Sequence, residues 1–360
     1  MSTAATPGAL AGLRVLDLTI WRPGPYTTQL LAEHGADVLK VEPPGGDPMR
    51  SMPDLFDILG AGKRSIVLDL KRDEDRERCL ELAAEADVFV ESYRPGVADR
   101  LGVGYEAIAA RNPTIVYCSV SGFGATGPLA RVPGHDVNYL AYSATLRPGG
   151  GKPRMPTIPI SDLAGGVAAA FAIAVACLGA QRNGRGERID ISVSDVLASW
   201  VGPVRKVKMV GVEAPLNGVP GYGVFSTADD RHVALGIMNE DHFWVGLCRA
   251  LDLEAHEQLT NRERTGRVRE LNAEIADAIR PLTQTEALER LARHDVPASP
   301  VLTQEEMLQH PHFRERGTIV EGPDGRPRSG PLVRFEQSPG RPPFGAPPAG
   351  SGHPGWLCPR

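Results

Sequence analysis

Cysteine is sparse and scattered in this chain of 360 residues. The five cysteines, Cys79, Cys118, Cys177, Cys248 and Cys358, are odd in number, lie far apart and form no C-x-x-C pair. That argues against a disulfide framework and against a zinc site, so no metal is expected. A basic excess is missing too: 39 Lys and Arg stand against 44 Asp and Glu, a formal net charge of -5. Nucleic acids and anionic membrane surfaces are normally met by dense Lys/Arg clusters, so neither is expected as a partner. An anionic small molecule must instead be met by a few placed cations. The opening residues, MSTAATPGALAG, lack a basic start and an apolar run of signal length, which leads us to expect a cytoplasmic protein. The one long apolar run, residues 167–180, is short for a bilayer crossing and is followed at once by QRNGRGER.

What is present is enough for a full core. With 42% hydrophobic and 23% charged residues the chain reads as a soluble globular protein of one large or two ordinary domains. Residues 13–18 (LRVLDL), 26–34 (YTTQLLAEH) and 36–41 (ADVLKV) form a strand–helix–strand unit. Its first loop, TIWRPGP, lacks G-x-G-x-x-G, which removes the usual dinucleotide fingerprint even though Glu42 ends the second strand. Lys63 and Arg64 stand in a turn before a strand, a charged helix follows over 73–86, and Arg94 leaves the next strand, residues 88–91, at a turn. Ligands of parallel α/β sheets gather at the carboxyl ends of the strands, so Lys40, Lys63, Arg64 and Arg94 are expected on one crevice, suited to a phosphate-rich handle. Strand 114–120 leads into SGFGATGP, where small residues permit close backbone approach.

The stretch from 133 to 177 carries the strongest chemical signal. Residues 163–178 are small and apolar, the pattern of a buried helix, and Asp162 stands just before them. An Asp there has a structural use as an N-cap. Its companion His135, in Pro-Gly-His-Asp, opens the second reading: an imidazole and a carboxyl beside a helix N-terminus whose free N–H groups receive a developing oxyanion. Farther on, residues 188–193 read as a strand, 194–204 as a helix, and 218–236 as a hairpin turning at Asp229-Asp230. Glu240 stands where it can cap the next helix. Residues 254–308 are helical and polar, and the tail is rich in Pro and Gly. We therefore expect an α/β domain over 1–190, a smaller mixed domain over 191–325 and a surface-wrapping tail over 326–360.

Several segments in order resemble the family III CoA-transferases, the CaiB/BaiF group that includes formyl-CoA transferase, carnitine CoA-transferase and α-methylacyl-CoA racemase. They are LRVLDLTIWRPGPYTTQLLAEHGADVLKVEPPGGDPMR, GKRSIVLDLK, ADVFVESYRPGVADRLGVGYEAI, NPTIVYCSVSGFGATGPLARVPGHD, ISDLAGG and YGVFSTADDRHVALG. The resemblance implies a large Rossmann-like domain that binds coenzyme A, a smaller α+β domain, and a homodimer interlocked like links of a chain. It implies an acyl-CoA thioester as substrate, no tightly bound cofactor, and CoA phosphates on the basic positions Lys40, Lys63, Arg64 and Arg94. Two chemistries occur in the family. Transferases use the Asp matching Asp162 as a nucleophile. Racemases carry GHD-x-N-Y, read here as Gly134 to Tyr139, with His135 and Asp162 on opposite sides of the substrate's α-carbon and a Glu matching Glu240 supporting the His. The motif favours the racemase branch, whereas ISDLAGG and Asn239-Glu240 fit either branch. The region 213–220 also lacks the run of glycines that often covers a transferase site. The acyl pocket is expected to take walls from the loop 147–157.

Overall fold

The computed structural model describes residues 7–146, 153–204, 219–342 and 344–357. The chain divides into two compact units, Met1–Val204 with Pro311–Arg360, and Arg205–His310. These bounds differ from the expected breaks after 190 and 325. The strand around residue 190 pairs into the large sheet and carries the helix after it into the same unit, and residues from 311 onward return to that unit.

In the larger unit the elements run β1 Arg14–Leu18, α1 Pro23–Glu33, β2 Asp37–Glu42, α2 Pro53–Gly60, β3 Arg64–Val67, α3 Asp73–Glu85 and β4 Val88–Glu91. They continue with α4 Val97–Arg100, α5 Tyr105–Arg111, β5 Val116–Ser121, α6 Asp136–Tyr142, α7 Ile160–Asn183, β6 Glu187–Ser192 and α8 Val193–Val204. All six strands are parallel, in the order β3-β2-β1-β4-β5-β6. This is the α/β class expected. The order reverses between β1 and β4, and a doubly wound sheet opens its ligand crevice at that point.

β1 is buried along its whole length because it lies in the middle of the sheet with helices on both faces. Leu16 and Leu18 join one core with Leu39, Phe89 and Tyr117, and Val15 joins the other with Val38, Val116 and Ile173. Helix α1 starts at Pro23, three residues earlier than its apolar pattern begins, because proline is tolerated in a first turn whose N–H groups have no intrahelical partner. Helix α7 is longer than the apolar run within it. It packs on β5, β6, α1 and α8, and by length and composition alone it is long and apolar enough to cross a membrane.

The tail lies along the β3 edge. Gly352 N donates to Ser65 O at 2.7 Å, and Trp356 Nε1 donates to Leu82 O at 3.3 Å. An open edge strand is thereby covered.

The smaller unit holds an antiparallel sheet of β7 Tyr222–Ser226, β8 His232–Gly236 and β9 Ala298–Pro300, with α9 Asp241–Ala250, α10 Asn261–Gly266, α11 Val268–Ile279 and α12 Gln284–Arg293. The hairpin turns at Asp229-Asp230 as its composition indicates, Asp230 taking a left-handed φ of 56°. Trp244, Leu247, Leu271, Ile275 and Leu291 fill its core.

Asp17 and Lys63 form a fully buried ion pair at 3.0 Å beneath the β1 loop, with Thr19 and Thr28 also bonding the Asp17 carboxylate. Removing one partner of such a pair costs about 3–5 kcal/mol because the other charge stays buried. Urea unfolding should therefore show Asp17→Ala or Lys63→Ala losing stability on that scale, and the double variant Asp17→Leu/Lys63→Met losing less than either. Equal losses in all three would contradict a buried, mutually compensated pair.

Candidate active site

A cavity of about 660 Å³ opens at the carboxyl ends of β1, β4 and β5, and every lining residue belongs to the larger unit. Its walls come from the loop after β1 (Ile20, Trp21, Pro23), the loop after β4 (Ser92 to Pro95), the end of β5 with Gly122 and Phe123, and the helix starts that carry His135 and Asp162. The first two loops are tied together by Ser92: its Oγ accepts from Ile20 N at 2.8 Å and donates to Ile20 O at 2.9 Å. Gly24 is required here, since a Cβ would lie 2.5 Å from Thr19 Cβ. Trp21 adopts a left-handed φ of 62°, a strained conformation for a bulky residue, and its ring meets the His135 imidazole edge-on with centroids 5.9 Å apart.

The motif Gly-His-Asp becomes intelligible as three local demands. Gly134 makes room for Tyr139, whose ring would lie 2.8 Å from a Cβ there, and Tyr139 Oη donates back to Gly134 O at 2.5 Å. A Cβ on Gly122 would lie 2.3 Å from Cε1 of the same ring, so this glycine also serves the tyrosine. His135 precedes α6, exposed toward the cavity, with its backbone N donating to Asn138 Oδ1 at 3.0 Å. Asp136 turns to α7: its Oδ1 accepts from Ser161 N at 2.9 Å, from Asp162 N at 3.3 Å and from the Ser161 hydroxyl.

Two expectations are corrected by this arrangement. Helix α7 begins at Ile160 after Pro159, so Asp162 lies inside the first turn and makes no capping bond. The N–H groups of Ser161 and Asp162 are occupied by Asp136, and neither is free for an oxyanion. The Asp162 carboxyl oxygens accept no hydrogen bond from any described residue. Burial pushes that carboxyl up to about 7, the Asp136 carboxylate adds to the rise, and the Arg22 guanidinium opposes it. A carboxyl of this kind gains and loses a proton near neutrality, which is what acid-base work requires. Among the described lining residues, Asn138 has its amide oxygen taken by His135 N, which leaves its NH2 group as a donor without a partner.

The four cations do not share one crevice. Only Arg94 is on the cavity wall, exposed. Lys40 is buried, donating to Thr19 O at 2.6 Å and pairing with Asp47 at 2.8 Å. Lys63 pairs with Asp17 and donates to Pro25 O at 2.9 Å. Both hold the β1 loop from beneath, because a buried ammonium needs an anion and carbonyls around it. Arg64 pairs with Asp37 at 2.6 Å and binds the tail carbonyls of His353 and Gly355. A cation not singled out in the sequence, Arg100, places its Nη1 3.9 Å from where a Gly96 Cβ would be, beside the Arg94 loop. Glu240 lies in the smaller unit at the N-cap of α9, its Oε2 accepting from Met238 N at 3.0 Å. Backbone N–H groups of its own loop hold it below the ordinary carboxylate range. Part of the expected pocket loop, residues 147–152, and most of the segment 213–220, lie outside the described residues.

The fold and the cavity together describe an α/β protein with a ligand crevice at its switch point, walled by an imidazole and a carboxyl. The family model for CoA-transferase family III matches residues 10–353, and the chain belongs to that family. It is 34% identical to the α-methylacyl-CoA racemase of Homo sapiens over 342 residues, covering 90% of this chain and 86% of that protein. It is 33% identical to the acetyl-CoA:oxalate CoA-transferase of Acetobacter aceti over 351 residues, covering 89% of this chain and 88% of the other. The solved structure of Rv3272 from M. tuberculosis superposes with a TM-score of 0.87 at 27% identity, over 96% of this chain and 98% of that one. Family membership marks the chain as an enzyme of CoA thioesters, with both racemases and CoA-transferases among its relatives.

The Asp162 carboxyl has a consequence for stability. The native state keeps its proton up to about pH 7, whereas the unfolded chain releases it near 3.8. Between those values the native state binds more protons, so stability falls as pH rises. The melting temperature of Asp162→Asn relative to the parent should accordingly climb from about pH 4 to about pH 7 and then level off. A flat or shrinking difference in that window would contradict the raised carboxyl.

Proposed function

We propose that this protein is an α-methylacyl-CoA racemase-like epimerase, inverting the α-carbon of a 2-methyl-branched acyl-CoA by two-base proton transfer. The observation that carries the reading is the pairing of His135 and Asp162 on the walls of one cavity, the latter poised to titrate near neutrality and free of any capping duty. In one direction neutral His135 removes the α-proton, the electron pair moves onto the thioester oxygen as an enolate, and protonated Asp162 returns a proton to the opposite face. The reverse direction exchanges the two roles. A proton α to a thioester is weakly acidic, so the enolate oxygen needs a donor, and a well-aimed one contributes about 3 kcal/mol. With the Ser161 and Asp162 N–H groups taken, the Asn138 NH2 is the donor we assign.

The CoA diphosphate is assigned to Arg94, with Arg100 beside it. The other three sequence candidates are already paired inside the fold. A second copy of the chain is assigned to the bare side of α7, where Val167, Phe171 and Val175 recur at helical spacing and Phe171 is 71% exposed.

Similarity to CoA-transferases supports one second reading, in which Asp162 attacks the thioester. Its raised proton affinity weighs against it, because the nucleophile must be ionised. Proton NMR of a chiral 2-methylacyl-CoA in deuterium oxide separates the two. The racemase reading expects deuterium at the α-carbon without any added acid, and a loss of about 10²–10⁴-fold in His135→Ala and in Asp162→Ala. Exchange that survives in Asp162→Ala, or a hydroxamate at Asp162 after hydroxylamine trapping during turnover, would sink it.

The cation assignments have their own check. Arg94→Ala should raise KM for the acyl-CoA substantially with little change for the same acyl group on a truncated pantetheine thioester. Arg64→Ala should instead loosen the tail and leave that KM ratio near the parent's. The opposite pattern would return Arg64 to the binding site.

A further inference from the structure

The loop after β1 carries a residue whose backbone does not suit its side chain. Trp21 has a φ of 62°, in the left-handed region where a Cβ crowds the following carbonyl and where glycine is the ordinary occupant. Its indole is also 43% exposed, so burial does little to offset the strain. The backbone on either side is tied down. Thr19 O takes the Lys40 ammonium at 2.6 Å, Ile20 exchanges two bonds with the Ser92 hydroxyl, and Arg22 O takes Tyr26 N at 3.0 Å. A bulky residue held in this way between fixed neighbours, on a cavity wall, calls for a use at the site. The ring that it meets is the His135 imidazole, with centroids 5.9 Å apart and planes at 85°, in the range where edge-to-face pairs attract. The His135 backbone is fixed by its N–H on Asn138 Oδ1 at 3.0 Å and by its O, which accepts from Asn138 N at 2.8 Å. Those bonds leave the imidazole two side-chain torsions. Among the described residues no hydrogen bond joins residues 19–22 to residues 133–138, so the ring pair is what links the β1 loop to the start of α6.

We propose that Trp21 is a positioning residue, its indole holding the His135 imidazole in the orientation from which it exchanges a proton with the substrate's α-carbon. The inference rests on the proposed reaction and deepens it. Rotation about either side-chain torsion displaces the reacting nitrogen, and a misplacement of about 1 Å costs on the order of 10²-fold in rate. The same imidazole serves the forward and the reverse transfer. Loss of its orientation therefore slows both directions by one factor and leaves the ratio of the two epimers at equilibrium unchanged. Strain and function are separable here. Glycine accepts the left-handed φ but brings no ring, so Trp21→Gly relaxes the loop and releases the imidazole in one change.

The test has two arms on the full-length protein. In the first, histidine is labelled with ¹³C, and His135→Gln identifies the His135 ring signals by NMR. The parent should show cross-relaxation between the Trp21 and His135 ring protons, and the His135 ring shifts should move in Trp21→Ala and Trp21→Gly and stay near the parent's in Trp21→Phe. In the second, α-proton exchange of a chiral 2-methylacyl-CoA is followed in deuterium oxide. Trp21→Ala and Trp21→Gly should lose about 10–100-fold in kcat, equally from either epimer, with KM within about twofold, and Trp21→Phe should recover most of the loss. Trp21→Gly should also melt above Trp21→Ala while being as slow. If Trp21→Ala does not fold, Trp21→Leu, apolar and without a ring, gives the same readout. Unchanged exchange in folded ringless variants, a raised KM at constant kcat, or a Trp21→Gly that melts no higher than Trp21→Ala overturns the proposal while the proposed reaction stands. A parent that shows the ring contact but exchanges no α-proton overturns the proposed reaction, and this role with it.

Discussion

One carboxylate organises the site, and it is the one next to the histidine. Asp136 Oδ1 takes the Ser161 and Asp162 N–H groups together with the Ser161 hydroxyl, so the start of α6 is fastened to the start of α7. His135 immediately precedes Asp136 at the start of α6, and Asp162 is itself fastened through its N–H in the first turn of α7. Their separation is therefore set by a bonded bridge between two rigid elements. The same bridge satisfies the α7 terminus, which relieves Asp162 of that duty, and it adds negative charge beside Asp162 that helps keep it protonated. Position and freedom of the Asp162 carboxyl share one cause, while its raised proton affinity comes first from burial and then from Asp136.

A second layer supports the loop on the far wall. Lys40 and Lys63 spend their charges on Asp47 and Asp17, and both also donate to carbonyls of the Thr19–Pro25 stretch, Lys63 with a further bond to the Thr28 hydroxyl. A buried ammonium is expensive unless fully partnered, and here the partnering is what shapes the loop that carries Trp21 and Arg22. Cations that sequence position directs at a ligand thus act on the ligand's enclosure. Arg94 stands on an exposed turn and has no such partner among the described residues.

The sheet was legible in the sequence because its strands are short apolar runs separated by helix patterns, and β1, β2, β4 and β5 lie within a residue or two of where those runs stand. His135 and Asp162 were legible as a pair because they flank a turn-rich loop before a helix. Three things were hidden. The cap of α7 comes from a residue 25 positions away in sequence, and no local pattern announces a bond of that range. The burial of Lys40 and Lys63 depends on acids brought close only by sheet order. The break expected after 190 differs from the unit bound at Val204 because the strand read over 188–193 pairs with β5, a partnership that only the sheet order reveals.

The most direct measurement compares the unfolding free energies of Asp136→Ala and Asp162→Ala at a pH slightly above neutral. The bridge account expects Asp136→Ala to lose about 1–3 kcal/mol, since two N–H groups and a hydroxyl are left without their acceptor. It expects Asp162→Ala to be neutral or more stable than the parent. A larger loss in Asp162→Ala would mean that this carboxylate, and not Asp136, holds the helix, and the account of the site would fall with it.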